Sequence, residues 1–319
     1  MIPVFDGATT RAALPFDKLI PALRHAFACA GELPERHHHD IRRPRGDDGV
    51  LLLMPAWNDD LLGTKIATVY PGNGARHLPS VFSTYLLSDA KSGKPLAILD
   101  GDEITTRRTI AVSALAASFL AREEAGSLLI VGAGRIGALA TQAFAAVRPI
   151  QRVAVWNRDH ARAEVLASAL RVQGYKASAV TSLLTGVEAA DIISCATPSR
   201  EPLIEGEWLR PGTHLDLIGS FTRDMREADD ACVARAAIHV DTRDALEESG
   251  DLAGPIEHGL VDPGTIGTLA DLCAGRVAGR GGADAVTLFK SVGTSLADLA
   301  AAGLVYGRSP SADEENLHA

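Results

Sequence analysis

The apolar positions of this chain follow two rhythms, and the change from one to the other falls near Ser127. Residues 16–29 place Leu19, Ile20, Leu23 and Phe27 at helical spacing, with Gly31 and Pro34 behind them, which predicts a first helix and then a polar, His-rich loop. Short apolar stretches follow at 50–55, 61–70, 81–88 and 95–99, separated by Asn58-Asp59-Asp60, Pro71-Gly72-Asn73-Gly74 and Lys91-Ser92-Gly93, the pattern of sheet strands joined by turns. Residues 104–122 are Ala-rich without Gly or Pro, and Asp100–Glu103 supplies acidic residues suited to a helix N-terminus, so a long helix is expected to lead out of a first domain.

From Ser127 the order becomes apolar strand, glycine turn, helix: strands at 128–131, 152–156 and 177–180 alternate with helices at 135–147 and 160–171. Further strands are expected at 191–195, 214–218, 238–240 and 286–289, a glycine-rich loop at 275–284, and a last helix at 293–302. Repeated βαβ units of this kind imply a doubly wound parallel sheet. The fold class is therefore α/β, a Rossmann domain accompanied by an α+β domain. The polar tail after Arg308 reads as frayed.

Composition narrows the classes of function. The chain has 319 residues, 46% hydrophobic and 22% charged, enough for two domains with sizeable cores. Net charge is −9 and the basic residues are scattered apart from Arg42, Arg43 and Arg45, so nucleic acid is not expected as a partner. The four cysteines, Cys29, Cys195, Cys232 and Cys273, form no Cys-x-x-Cys pair, which argues against a zinc site and a disulfide framework and fits a reducing cytoplasm. No apolar run approaches the roughly 18 residues of a membrane span, and the first fourteen residues lack the pattern of an export signal.

Gly132-Ala133-Gly134-Arg135-Ile136-Gly137 is a G-x-G-x-x-G between an apolar strand and a helix. In that context Gly132 permits the tight turn, Gly134 lets backbone approach a pyrophosphate, Gly137 lets helix pack on strand, and the helix N-terminus offers N–H groups to the anion. At the end of the second strand, where an Asp or Glu usually accepts from the ribose 2′-hydroxyl of NAD, the chain has Asn157-Arg158. A neutral amide and a guanidinium can bond a 2′-phosphate that an acid would repel, so NADPH is the expected cofactor, with NADH as the alternative that Asp159 keeps open.

Other segments then become recognisable: Met54-Pro55-Ala56-Trp57, Gly63-Thr64-Lys65, Thr106-Arg107-Arg108-Thr109 and Gly293-Thr294-Ser295-Leu296-Ala297-Asp298. With the glycine loop, these five motifs in one order resemble the ornithine cyclodeaminase/mu-crystallin family over nearly the whole chain. The resemblance implies a substrate-binding and dimerisation domain (1–122 with 291–319), a Rossmann domain (123–290), a homodimer, and a last helix returning to the first domain. It places Lys65 and Arg108 at the substrate-carboxylate and active-site positions and Thr84 near the substrate. A guanidinium fork opposite a carboxylate and a lysine beside an imine are also sensible chemistry on their own. Thr109 and Gly293, the end residues of two of the motifs, are assigned to the cofactor; Met54 and Ser220 are assigned to the substrate.

The segment 219–227, Gly-Ser-Phe-Thr-Arg-Asp-Met-Arg-Glu, departs from the cyclodeaminase pattern. Where those enzymes carry an Asp that handles the amine and the water, and a Lys, this chain has Phe221 and Met225, neither able to transfer a proton at neutral pH. Its Gly-Ser-Phe-Thr form, with Arg36-His37-His38-His39, resembles the bacterial ketimine reductases that act on Δ1-pyrroline-2-carboxylate and Δ1-piperideine-2-carboxylate. Ungapped spacing puts His39 where part of the family has a carboxylate-binding Arg; Arg36 and Arg42 are near enough in sequence to substitute, and no metal site is expected from the His run.

The resulting expectation is reduction of a small cyclic 2-imino acid by NADPH to an L-proline or L-pipecolate type product, with Arg108 and Lys65 holding the carboxylate. Ala196, Thr197 and Gly219, at carboxyl ends of strands, are expected at the nicotinamide. Three alternatives stand beside it: ornithine cyclodeamination, an alanine-dehydrogenase-like reaction on an open-chain amino acid, and a non-catalytic crystallin-like NADPH-binding protein, which retention of Lys65 and Arg108 disfavours.

Overall fold

The computed structural model describes residues 2–29, 34–44 and 46–307. Gly31, Arg45 and the polar tail from Arg308, all used in reading the sequence, lie outside the described residues. The chain forms two compact units, one running to Arg108 and resuming at Thr294, the other Thr109–Gly293. Among the described residues, no helix is long and apolar enough to cross a membrane.

The first unit is built from β1 (Val4–Phe5), α1 (Gly7–Ala12), α2 (Phe16–Ala28), β2 (His37–Ile41), β3 (Gly49–Trp57), β4 (Leu61–Val69), β5 (Val81–Asp89), β6 (Pro95–Asp100) and the start of α3 (Gly101–Leu120). The strands make one sheet in the order β1-β6-β5-β4-β3-β2, antiparallel throughout except for the β1–β6 pair. Register decides what shares a face: Met54 lies opposite Lys65, Lys65 opposite Tyr85, and Tyr85 opposite Leu99. That row is buried, whereas its neighbours one residue along point the other way, as the period of two requires. The helix Ser295–Tyr306 packs on α2 and on β3 and β4.

The sequence reading of the polar, His-rich stretch after the first helix as loop is corrected by β2. His37, His38 and His39 form an edge strand, held to Leu53, Leu52 and Leu51 of β3. An edge strand in solvent needs only backbone pairing, so its side chains carry no apolar alternation to read. The short β1 and α1 were also absent from the sequence pattern. Helix α3 starts at Gly101, three residues before the expected 104, and Asp102 and Glu103 occupy its first turn.

The second unit contains β7 (Ser127–Val131), α4 (Gly137–Ala145), β8 (Arg152–Trp156), α5 (His160–Val172), β9 (Lys176–Ala179), α6 (Leu183–Ala189), β10 (Ile192–Cys195), β11 (His214–Leu217), α7 (Asp230–Arg235), β12 (Ala237–Val240), α8 (Ala245–Glu248), α9 (Gly250–Glu257), β13 (Gly267–Thr268), α10 (Leu269–Cys273) and β14 (Thr287–Lys290); Ser295–Tyr306 is then α11. All eight strands are parallel, in the order β13-β12-β14-β11-β10-β7-β8-β9. The chain winds outward from β7 to β9, then returns to the other side of β7 with β10, so the topological switch lies between β7 and β10. A ligand crevice is expected there, beyond the carboxyl ends of the strands. Leu129, Val131, Ile193, Leu215, Leu217 and Leu288 are wholly buried in the core, each contributing on the order of 1.5–3 kcal/mol of transfer free energy. Helices α6–α10 were not foreseen, because segments of four to eight residues are too short to establish a 3.6-residue period.

Candidate active site

Two groups of residues, one in each unit, carry chemistry. In the first unit, the carboxylate of Asp298 on α11 sits between two cations: Lys65 Nζ is 2.7 Å from Oδ2, and Arg108 Nε donates to Oδ1 at 2.7 Å. All three side chains are buried. Two buried cations share one anion, so the group carries an excess positive charge. The shifts follow from that imbalance. Burial works to raise the Asp298 carboxyl, but Arg108 and Lys65 together outweigh it and hold it below the usual carboxylate range. Lys65 has only half a partner: burial pushes it from 10.5 to about 8, and the charges of Arg108 and Arg36 add to the fall against the pull of Asp298. The two directions would conflict for an isolated ion pair and agree for a cation-rich cluster. Tyr85, in the Lys65 row, is fully buried; burial and the nearby Asp298 charge keep its phenol protonated far above the ordinary range. Its ring fits because position 63 is glycine: a Cβ there would lie 2.0 Å from the Tyr85 hydroxyl.

Arg107 and Arg108 are neighbours with different work. Arg107 donates through Nε to the Leu14 carbonyl at 2.7 Å and stacks over the Phe16 ring, tying α3 to the start of α2. Arg36 precedes β2 by one residue, and its charge is among those that lower Lys65. Arg42 lies just past β2 and is exposed. Alternation places His39 and Thr84, both exposed, on the face opposite Lys65, while Met54 shares the Lys65 face.

In the second unit, the turn after β7 has the geometry a dinucleotide needs. Gly132 adopts a φ of 110°, open to glycine alone without strain, and a Cβ there would meet the Ala196 carbonyl at 2.7 Å. A Cβ on Gly137 would lie 2.0 Å from the Gly132 carbonyl, so the helix can approach the strand only without one. Gly134 has no atom within 4 Å of its Cβ position, and this open side is where a pyrophosphate fits. Arg135 is exposed and Ile136 partly buried just before α4. A cleft of ≈ 460 Å³ runs past Gly132 and Gly134 to Asn157, Arg158 and Arg162 on one side and to Ala196, Thr197 and Ser199 on the other.

Asn157 is engaged with the protein itself: its Oδ1 accepts from Ala133 N–H at 3.0 Å and its Nδ2 donates to the Asp159 carbonyl at 3.0 Å. Asp159 caps α5 by accepting from Ala161 N–H. Among the described residues, neither Arg158 nor Arg162 is paired with a carboxylate. Ser220 is fully buried, its hydroxyl 2.6 Å from the Met225 carbonyl and 2.8 Å from Ser249 Oγ, while Phe221 of the same segment is half exposed. Thr109 is buried within α3, and Gly293 has a φ of 90° and donates its N–H to Asp241 Oδ2 at 2.7 Å.

Comparisons with known proteins identify the family. The model of the ornithine cyclodeaminase/mu-crystallin family matches residues 10–313. The chain belongs to that family. It is 42% identical to the Delta(1)-pyrroline-2-carboxylate reductase of Paracoccus denitrificans over 261 residues, 81% of this chain and 83% of that one. It is 36% identical to the ketimine reductase mu-crystallin of Rattus norvegicus over 298 residues, 90% and 91% of the two chains. Among solved structures it resembles the Thermococcus litoralis Delta(1)-pyrroline-2-carboxylate reductase in complex with NADH and L-proline, with a TM-score of 0.90 at 31% identity, covering 98% of each chain.

Within the family motifs, sequence reading quoted Asp298 without giving it a role, and did not single out Tyr85, Glu227 or Arg162. Asp298 had a signal: it is the only charged residue of α11, whose other positions are almost all apolar or small. A charge in such a helix must be buried, and a buried charge needs partners.

Proposed function

We propose that this protein is a nicotinamide-dinucleotide-dependent reductase of small cyclic 2-imino acids, forming L-proline from Δ1-pyrroline-2-carboxylate or L-pipecolate from Δ1-piperideine-2-carboxylate. The observation that carries the reading is the buried Lys65–Asp298–Arg108 cluster, whose excess positive charge suits the carboxylate of such an acid. Arg108 offers donors in a fixed fork once Nε is held by Asp298. Lys65, lowered by burial to about 8, can hold a proton at Nζ near neutral pH and also release one. The reaction adds a hydride to the imine carbon and leaves the ring nitrogen protonated; an iminium that arrives protonated needs no further acid. The Gly132–Gly137 turn would hold the dinucleotide that supplies the hydride. Phe221 and Met225 stand where the cyclodeaminase pattern has its Asp and Lys, and neither side chain can activate water or accept an amine proton, which disfavours ammonia-eliminating cyclisation.

NADPH is the preferred dinucleotide in this reading, because Arg158 and Arg162 stand at the cleft end where a 2′-phosphate would lie and, among the described residues, neither is in an ion pair, the nearby Asp159 carboxylate being engaged in capping α5. The protein works as a homodimer. The sheet face opposite Lys65 leaves Trp57 56%, Phe82 43% and Ile66 41% exposed with Leu53 and Leu62 between them, an apolar surface suited to a second copy. Four free cysteines support a reducing, cytoplasmic setting. Steady-state turnover of five- and six-membered cyclic imino acids with NADPH and with NADH, in wild type and in Arg108→Ala, tests the assignment. Loss of turnover in the variant is expected; unchanged turnover would refute the carboxylate role.

A further inference from the structure

Glu227 is fully buried, follows the Gly-Ser-Phe-Thr segment, and has no part in the chemistry above. Its two carboxylate oxygens reach two different strand ends. Oε1 accepts from the Thr197 N–H at 2.6 Å and from the Thr197 hydroxyl at 2.9 Å, beyond β10; Oε2 accepts from the Gly219 N–H at 2.6 Å, beyond β11. The two backbones are already in contact, since a Cβ on Gly219 would lie 1.9 Å from the Thr197 carbonyl oxygen. Glu227 is itself anchored: its N–H donates to Asp251 Oδ1 at 2.7 Å, its carbonyl accepts from Leu203 and Ile204, and Asp251 Oδ2 lies 3.3 Å from the buried Lys290 ammonium at the end of β14. A chain of contacts thus runs from Lys290 through Asp251 and Glu227 to the two strand ends.

The position of those ends gives the contacts a purpose. The glycine turn follows β7, and Arg158 and Arg162 stand on the β8 side of it, where the adenosine half of a dinucleotide belongs. The redox half must then extend to the other side, over β10 and β11. We propose that Glu227 is a positioning residue for that redox half: its carboxylate locks the Thr197 backbone against that of Gly219 and so fixes the floor on which the nicotinamide rests. This rests on the reading of the unit as the dinucleotide site of a reductase. Three donors converging on two oxygens select the ionised form, although burial raises the carboxyl to about 7 against the pull of Lys290.

Glu227→Gln keeps the shape but removes the charge and turns an amide NH2 toward one of the two N–H groups. We measure affinity for NADPH and for 2′-phospho-ADP-ribose, which lacks the nicotinamide, together with hydrogen exchange at Thr197 and Gly219. The expected result is NADPH affinity weakened about tenfold or more, 2′-phospho-ADP-ribose affinity unchanged, and faster exchange at both amides. Glu227→Asp, which keeps the charge, should recover part of the loss. Equal weakening of both ligands, or wild-type affinities and exchange, overturns the proposal. Should Glu227→Gln fail to fold, Thr197→Val removes only the hydroxyl bond to Oε1 and must show the same selectivity between the two ligands. If the wild type binds neither these two ligands nor NADH, the reductase reading falls and this proposal with it; if it binds NADPH and 2′-phospho-ADP-ribose and the variant matches it, only the proposal falls.

Discussion

Replacing Asp298 with asparagine removes the single anion of the cation cluster while keeping its shape. The guanidinium of Arg108 cannot shed its proton, so it is left buried and uncompensated, a state that costs about 3–5 kcal/mol. Lys65 has an escape: starting from about 8, it can deprotonate at pH 7 for roughly 1.4 kcal/mol, and loss of the Asp298 charge lowers that cost further. The expected destabilisation is therefore about 4 kcal/mol, dominated by Arg108, or a fall in melting midpoint on the order of 10 °C. A double variant Asp298→Asn, Arg108→Met should regain at least about 2 kcal/mol of the loss, because it removes the stranded charge together with its partner. Thermal melts of the wild type, the single variants Asp298→Asn and Arg108→Met, and the double variant decide the matter. If Asp298→Asn melts within about 2 °C of wild type, or if the double variant is no more stable than the single one, the carboxylate is not what holds the two cations.

Arg158→Ala combined with Arg162→Ala should weaken NADPH binding about 100-fold while leaving NADH binding unchanged, as measured by titration; equal losses would remove the 2′-phosphate role. The folded pKa of Lys65 is depressed from 10.5 to about 8, so its stability contribution is full above 10.5 and is lost as the pH falls toward 8. A ligand carboxylate that pairs with the ammonium restores part of it. Pyrrole-2-carboxylate should therefore raise the melting midpoint most below pH 8 and progressively less above it, and a flat profile to pH 10 would contradict the assignment. Trp57→Glu with Phe82→Lys should convert a dimer to a monomer in sedimentation, whereas a wild type that sediments as a monomer would exclude the proposed interface.

The parallel sheet was legible because central strands such as β7 and β10 are buried on both faces and spell nearly continuous apolar runs, and the glycine turn because each glycine answers a separate steric demand. Strand β2 was hidden for the opposite reason, its side chains facing solvent on an edge. Lys65 and Arg108 were read from motifs, but their common partner was not: Arg108 and Asp298 are 190 residues apart, and only the packing of α11 on β3 and β4 reveals it. Asn157 shows the same limit at short range. Its residue type suits a phosphate ligand, yet its amide is spent on Ala133 and Asp159, leaving Arg158 and Arg162 as the cations at that end. Glu227 gave no local signal, since its partners follow two other strands and are brought together only by the sheet order.

The most direct test of the central claim is the fate of deuterium carried at C4 of NADPH when the protein is given Δ1-pyrroline-2-carboxylate. The account predicts one mole of NADPH consumed per mole of L-proline, with a single deuterium at the α-carbon. Unlabelled proline, or no NADPH oxidation with either ring size by protein that binds the dinucleotide, would contradict it.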